Sequence, residues 1–314
     1  MLGYIKKRLL FNLLSLWVVV TLTFFIIRTI PGDPFNDENG NVLSAEILAI
    51  LNKRYGLDKP LFTQYLIYLK CLLTLDFGES LIYKDRTVIG IITTALPSSA
   101  ILGLESLCLA LFGGITLGIL AAFYKRGCGR TIFFSSIIQI SVPAFVIGAF
   151  LQYIFAIKYS LLPIACWGDF SHTLLPSIAL AIAPMAFITQ LTYASVSASL
   201  KKDYVLLAYA KGLSPLKVLI KHVLPYALFP VISYSAFLIT TLMTGTFSIE
   251  NLFCIPGLGK WFICSIKQRD YPMTLGLSVF YGAFFMLISL LCDLLQAWID
   301  PQIRYSYGKE HSKQ

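Results

Sequence analysis

Residues 201–225 read KKDYVLLAYAKGLSPLKVLIKHVLP, a basic, polar interruption between two long apolar runs. Lys201, Lys202, Lys211, Lys217 and Lys221 face a single acid, Asp203. Lysines that flank membrane-spanning runs stay on the cytoplasmic side, so this stretch sets the direction in which the chain threads a bilayer. Ala208, Ala210 and Gly212 recur at small-residue spacings on a helical period. One helix face is then nearly bare, and another surface can come close to it. A solvated connecting loop is the plainer reading of the same charges.

Outward from this loop the sequence is that of an all-α integral membrane protein. Of its 314 residues 57% are hydrophobic and only 13% charged, with mean hydropathy +0.76. A water-soluble core of this length cannot hide that much apolar surface. The formal charge of +9 does not point to nucleic acid, because the basic residues cluster beside apolar runs as anchors. Six runs, near 9–30, 98–124, 132–157, 174–195, 226–247 and 273–296, are long enough to cross about 30 Å of hydrocarbon.

Lys6, Lys7 and Arg8 place the N-terminus inside. Six crossings then put Lys125, Arg126 and Arg130, the 201–225 loop and the tail with Arg304, Lys309 and Lys313 on that same side. Both termini are expected in the cytoplasm. The first run is too long for a cleavable leader and lacks a small-x-small site, so it reads as a retained span.

The spans divide the chain into three parts. Residues 1–97 hold the first helix and a long external segment, with short amphipathic helices expected over 44–56 and 62–75. Residues 98–305 form a five-helix core, and 306–314 a cytoplasmic tail. The segment 250–262, with Glu250, Asn251, Pro256, Gly257 and Gly259, is too broken to continue a helix and too apolar for a solvated loop. It is expected to dip into the outer mouth of the bundle under cover of protein.

Within the spans, Glu105 and Asp293 are ionisable, and such groups face a bundle interior or water. They serve either substrate or proton coupling, or helix-packing polarity. Gly113, Gly114 and Gly118 make a small-residue packing face, while Pro143 and Pro184 bend or shape their helices. The seven cysteines show no metal spacing, although Cys254 and Cys264 share one expected loop and a disulfide between them is conceivable.

Chemistry is conspicuous by what is missing. The nearest approach to a phosphate-cradling loop is Gly259-Lys260, with Cys254 in place of the first glycine and Trp261 in place of the hydroxyl. The histidines His172, His222 and His311 are scattered, so neither a catalytic residue nor a metal site is expected, and no cofactor is assigned to this chain. A pump without an engine needs somewhere to attach one.

The residues that supply such a place carry a resemblance. Ala208-Tyr-Ala-Lys-Gly212 with Leu213, followed by Leu224-Pro225, is similar to the cytoplasmic loop of ATP-binding-cassette importer permeases. Leu206 stands at that loop's glutamate and Leu207 at its first alanine; the peptide-transporting branch often lacks the glutamate. Pro31-Gly-Asp-Pro34, Asp76-Phe-Gly78, Ser141-Val-Pro-Ala-Phe145, Asp203-Tyr204, Pro256-Gly-Leu-Gly259, Arg269-Asp-Tyr-Pro272 and Asp300-Pro-Gln-Ile-Arg-Tyr305 extend the match over residues 1–305.

In this order they resemble the B-type permease subunit of the dipeptide/oligopeptide family. The resemblance implies a type I importer fold in a bacterial inner membrane, with a homologous second permease subunit. It also implies two cytosolic ATPase subunits that bind the ATP and magnesium, and an external peptide-binding protein. Loop 201–225 would then hold a coupling helix seated in an ATPase, and Glu250–Phe262 would line the outer gate. A metal-chelate permease of the same family and a proton-coupled peptide carrier using Glu105 or Asp293 are the alternatives.

Overall fold

The computed structural model describes residues 2–29, 53, 56–83, 85–124, 127–243 and 246–299, with side chains except at 2–7, 236, 292, 293 and 295–299. Asp293 and most of the helix expected over 44–56 lie outside the described residues. Among the described residues no strand forms beyond one isolated bridge, Glu79 to Thr87.

The chain forms two compact units, residues 1–97 with 261–287, and residues 98–260 with 288–314. In the first, α1 (Leu2–Thr29) is apolar on every side, and most of its side chains point outward, as lipid-facing helices do. Helix α2 (Leu61–Leu73) is two-faced. Its Tyr65 packs with Phe24, Ile27, Tyr271 and Leu275 in the core of this unit, while Phe62 and Leu66 are exposed.

The spine of the second unit is α3 (Val88–Phe123) packed on α6 (Phe170–Ser199). A Cβ on Gly114 would lie 2.6 Å from Ile188 Cβ and 2.8 Å from the Met185 carbonyl oxygen. One on Gly118 would lie 2.7 Å from the Thr189 carbonyl, and one on Gly113 would run into Met185. The three glycines are therefore the contact face between these helices.

Helix α3 starts ten residues before the expected span and carries Pro97 inside it. The Thr87 hydroxyl accepts from Gly90 N at 3.1 Å and caps the helix there. Pro184 likewise stays inside unbroken α6.

Pro143 does break its span. It holds Val142 extended (φ −92°, ψ 124°), so α4 (Cys128–Ser141) and α5 (Ala144–Leu151, running on π-helically through Lys158) meet at a bend of 102°. Among the described residues five helices are long and apolar enough to cross a membrane, or six if that bent pair is one span.

The chain then continues through α7 (Asp203–Ala210), α8 (Pro215–Val218), a π-helical stretch Leu219–Val223, α9 (Leu224–Ala227) and α10 (Phe229–Met243). Next come α11 (Phe247–Leu252), α12 (Leu258–Lys267) and α13 (Tyr271–Ile299). The break expected over 250–262 is thus confined to 253–257. Cys254 and Cys264 are both free thiols, so the conceivable disulfide is absent.

Candidate functional site

Helix α7 begins after extended Lys202 (φ −82°, ψ 149°), with Asp203 in its first turn, where a negative charge suits the helix dipole. It ends at Gly212, whose φ of +78° suits a residue without a Cβ. There the Gly212 and Leu213 amides turn back to the carbonyls of Tyr209 (2.9 Å) and Ala208 (3.3 Å), closing the helix end. Pro225 has no N–H to offer and its ring crowds the preceding turn, which suits the widened π-helical path of 219–223.

Burial divides the loop into two faces. Val205 and Ala208 point inward, onto a cluster with Ala122, Val196, Val218 and Val223, and Leu213 and Leu224 pack at its edge. Ala208 therefore serves the chain's own packing rather than a bare outer face. Outward lie Asp203, Tyr204, Ala210, Lys211, Gly212 and Pro225, with Leu206 at 71% and Leu207 at 56% exposure. Leu216, Ile220 and Tyr226 are exposed too, and Tyr226 sets its ring 5.7 Å from that of Tyr204. The outward face thus sets large aliphatic side chains among lysines.

Glu250 lies in α11 and is only 1% exposed. Its carboxylate accepts from Ser99 Oγ at 2.8 Å and from the Lys260 amide at 2.9 Å, over the N-terminus of α12. Ser99 Oγ in turn accepts from Leu258 N at 2.8 Å, and Ser98 Oγ donates to the Pro256 carbonyl at 2.9 Å. Gly257 and Gly259 are buried because the carboxylate and the Phe247 backbone occupy the space a Cβ would need. Asn251 and Pro256 are exposed. The group is a lock on the 253–257 turn, and Ser99 is the member that sequence reading missed.

Glu105 accepts from Thr173 Oγ1 (3.0 Å) and Ser177 Oγ (2.7 Å), so its carboxylate ties α3 to α6.

A second buried carboxylate, Asp270 at 0% exposure, was legible only as part of a motif. Ser80 Oγ donates to it, as do the amides of Leu81 (3.2 Å) and Met273 (3.3 Å). Burial pushes its carboxyl above the usual aspartate range, and these donors pull the other way. Ser80 and Asp270 are 190 residues apart, and no local pattern links them.

Residues 114–305 match the model for the binding-protein-dependent transport system inner membrane component, and residues 1–99 match that for its N-terminal region. The chain belongs to this family. It is accordingly an all-α, multi-pass membrane component of a binding-protein-dependent transport system.

A curated relative, the dipeptide transport system permease protein DppB of Lactococcus lactis subsp. cremoris, is 41% identical over 97% of this chain and 100% of its own length. The oligopeptide transport system permease protein OppB of Haemophilus influenzae is 37% identical over 97% and 100% respectively. Among solved structures, an inward-facing form of the MetNI methionine ABC transporter superposes with a TM-score of 0.55. It shares 16% identity over 67% of this chain and 96% of that one, a likeness of fold alone.

Proposed function

We propose that this chain forms half of the translocation pathway of an ATP-driven importer of di- and oligopeptides. A homologous permease subunit supplies the other half, two cytosolic ATPase subunits supply ATP hydrolysis, and an external peptide-binding protein delivers the cargo. The chain itself binds no nucleotide, carries out no chemistry, and sits in a bacterial inner membrane with both termini in the cytoplasm. Support for the cargo comes from relatives named as dipeptide and oligopeptide permeases over nearly their whole length. A proton-coupled carrier gains nothing from Glu105, which is engaged by two hydroxyls.

The observation that carries the reading is the outward face of 203–225. Leu206, Leu207, Leu216 and Ile220 are exposed between lysines on a loop whose inward face, Val205, Ala208, Val218 and Val223, packs against its own helices. Such a face fits an apolar groove with acidic rims on an ATPase subunit. ATP-driven closure of those subunits then pushes on α7 and biases the spans between inward- and outward-facing states; the differential binding of nucleotide supplies the shift.

The test is the double variant Leu206→Asp with Leu207→Asp. Both side chains are exposed, so the permease stays folded in the membrane at parent level, while co-purifying ATPase subunits and peptide-dependent ATP hydrolysis are lost. Parent-like recovery of both would sink the docking assignment.

A further inference from the structure

The first unit holds a cavity of about 360 Å³ where the end of α1, Lys53, residues 56–59, α2 and the start of α13 meet. Arg28, Lys53, Lys59, Gln64, Tyr68 and Asp76 supply its polar lining. The Arg28 guanidinium sits between two rings, 5.0 Å from the Phe24 centroid and 4.7 Å from that of Tyr271. One of its η nitrogens donates to Gln64 Oε1. Gln64 is aimed there because its own Nε2 donates to the Lys59 (2.7 Å) and Leu57 (3.1 Å) carbonyls.

Two buried donors in this wall, Arg28 Nε and the Tyr68 hydroxyl, have no acceptor among the described residues. Burial pushes the Tyr68 phenol well above its usual range, so it remains a donor at neutral pH. The guanidinium's partners among the described residues are rings and an amide, none of which carries negative charge. Asp76, the carboxylate in the lining, accepts from Gly78 N at 3.0 Å. Among the described residues this half-buried cation meets only aromatic faces and an amide, and it suits an anion with several acceptor oxygens.

Depth and surroundings say which anion. Arg28 lies twenty residues beyond Arg8, about 30 Å along a continuous apolar helix, which puts it at a membrane interface. Ile67 both lines the cavity and is exposed, so the opening meets the apolar flank where Phe62 and Leu66 face outward. We propose that this pocket binds the phosphate of an anionic phospholipid. Arg28 and Tyr68 take the phosphate oxygens, Lys53 and Lys59 add their charge at the rim, and the acyl chains lie along the exposed faces of α1 and α2.

The experiment uses the assembled transporter, stripped of lipid in neutral detergent, and counts bound lipid by native mass spectrometry. Phosphatidylglycerol, phosphatidylcholine and inorganic phosphate are the three probes. The parent prefers phosphatidylglycerol over phosphatidylcholine by at least about tenfold, given roughly 1 kcal/mol for each interfacial cation. Arg28→Gln weakens phosphatidylglycerol about five- to tenfold and leaves phosphatidylcholine unchanged.

Because Arg28 also holds Gln64, two milder variants carry the same test. Tyr68→Phe removes only an unpaired hydroxyl, and Lys53→Gln with Lys59→Gln removes only rim charge; each reduces the preference severalfold. Equal retention of both lipids by the parent, or an unaltered preference in all three variants, overturns the proposal. So does displacement of phosphatidylglycerol by millimolar inorganic phosphate, which would make this a site for free anions.

Discussion

Glu250 and Gly257 share one volume, and each defines what the other can be. Replacing Glu250 by Ala leaves Ser99 Oγ and the Lys260 amide without their buried acceptor, a cost of about 1–3 kcal/mol. Replacing Gly257 by Ala drives a methyl into the carboxylate. The double variant is expected to lose less than the sum of the two, since truncation of Glu250 vacates the space the methyl needs. Thermal unfolding of the four detergent-solubilised proteins measures this coupling, and strict additivity would refute it.

Asp270 makes a second prediction at this scale. Its carboxyl titrates above that of an unfolded aspartate, so the folded chain holds the proton more tightly. Its contribution to stability is full below about pH 4, where a free aspartate is protonated, and declines as pH rises through the folded-state value. Asp270→Asn removes that slope. A parent and variant with parallel stability-against-pH curves would contradict the assignment.

Which of these residues were readable in advance follows from sequence distance. Glu250 stands out as a charge in an apolar segment, and Pro256, Gly257 and Gly259 beside it declare a turn. Ser99 carries no signal of its own, because a serine in or beside an apolar run usually bonds the preceding helical turn, and Ser80 stands out only as a companion of the Asp76-Phe-Gly78 motif. Only folding brings them to carboxylates 151 and 190 residues away.

Among the elements, α3 against α6 is the contact most sensitive to volume. Gly118→Val would push a branched side chain into the Thr189 carbonyl and the Thr192 side chain, and overpacking of this kind costs about 1–3 kcal/mol. The expected result is a lowered thermal midpoint, with the helices forced apart.

The glycine face was legible because small residues repeat every three or four positions. The early start of α3 was not, since Pro97 reads as a helix boundary and the cap that overrides it is a single threonine hydroxyl. The loop 201–225 was half legible. Its helix and its glycine stop follow from local pattern, but which alanine faces inward depends on where Val196 and Val218 pack.

At the scale of the molecule, the exposed thiols report topology. Cys254 and Cys128 are both exposed and free, and threading with both termini inside places them on opposite sides of the membrane. In intact cells, a membrane-impermeant maleimide is expected to label a variant retaining only Cys254 and to spare one retaining only Cys128 until the cells are opened. The reverse pattern would invert the threading.

The energy source is tested at the same scale. Peptide uptake is expected to stop when the ATPase subunits are removed and to continue through a brief protonophore pulse while ATP lasts. Uptake that survives loss of the ATPases would return the chain to the class of ion-coupled carriers.

The π-helical stretch Leu219–Val223 matters for inheritance as well as for shape. A turn of this kind holds about one residue more than an α-helical turn, so it can shed one and remain helical. Deleting Ile220 would close the stretch to ordinary helix and leave the segments on either side in nearly the same register, since the widened turn absorbs the extra residue within a single turn. Chain length is therefore negotiable at this point, where a deletion costs neither the fold nor the direction of the helix. Relatives one residue shorter between Pro215 and Pro225 are expected to run α-helically there and to aim their coupling segments in the same direction.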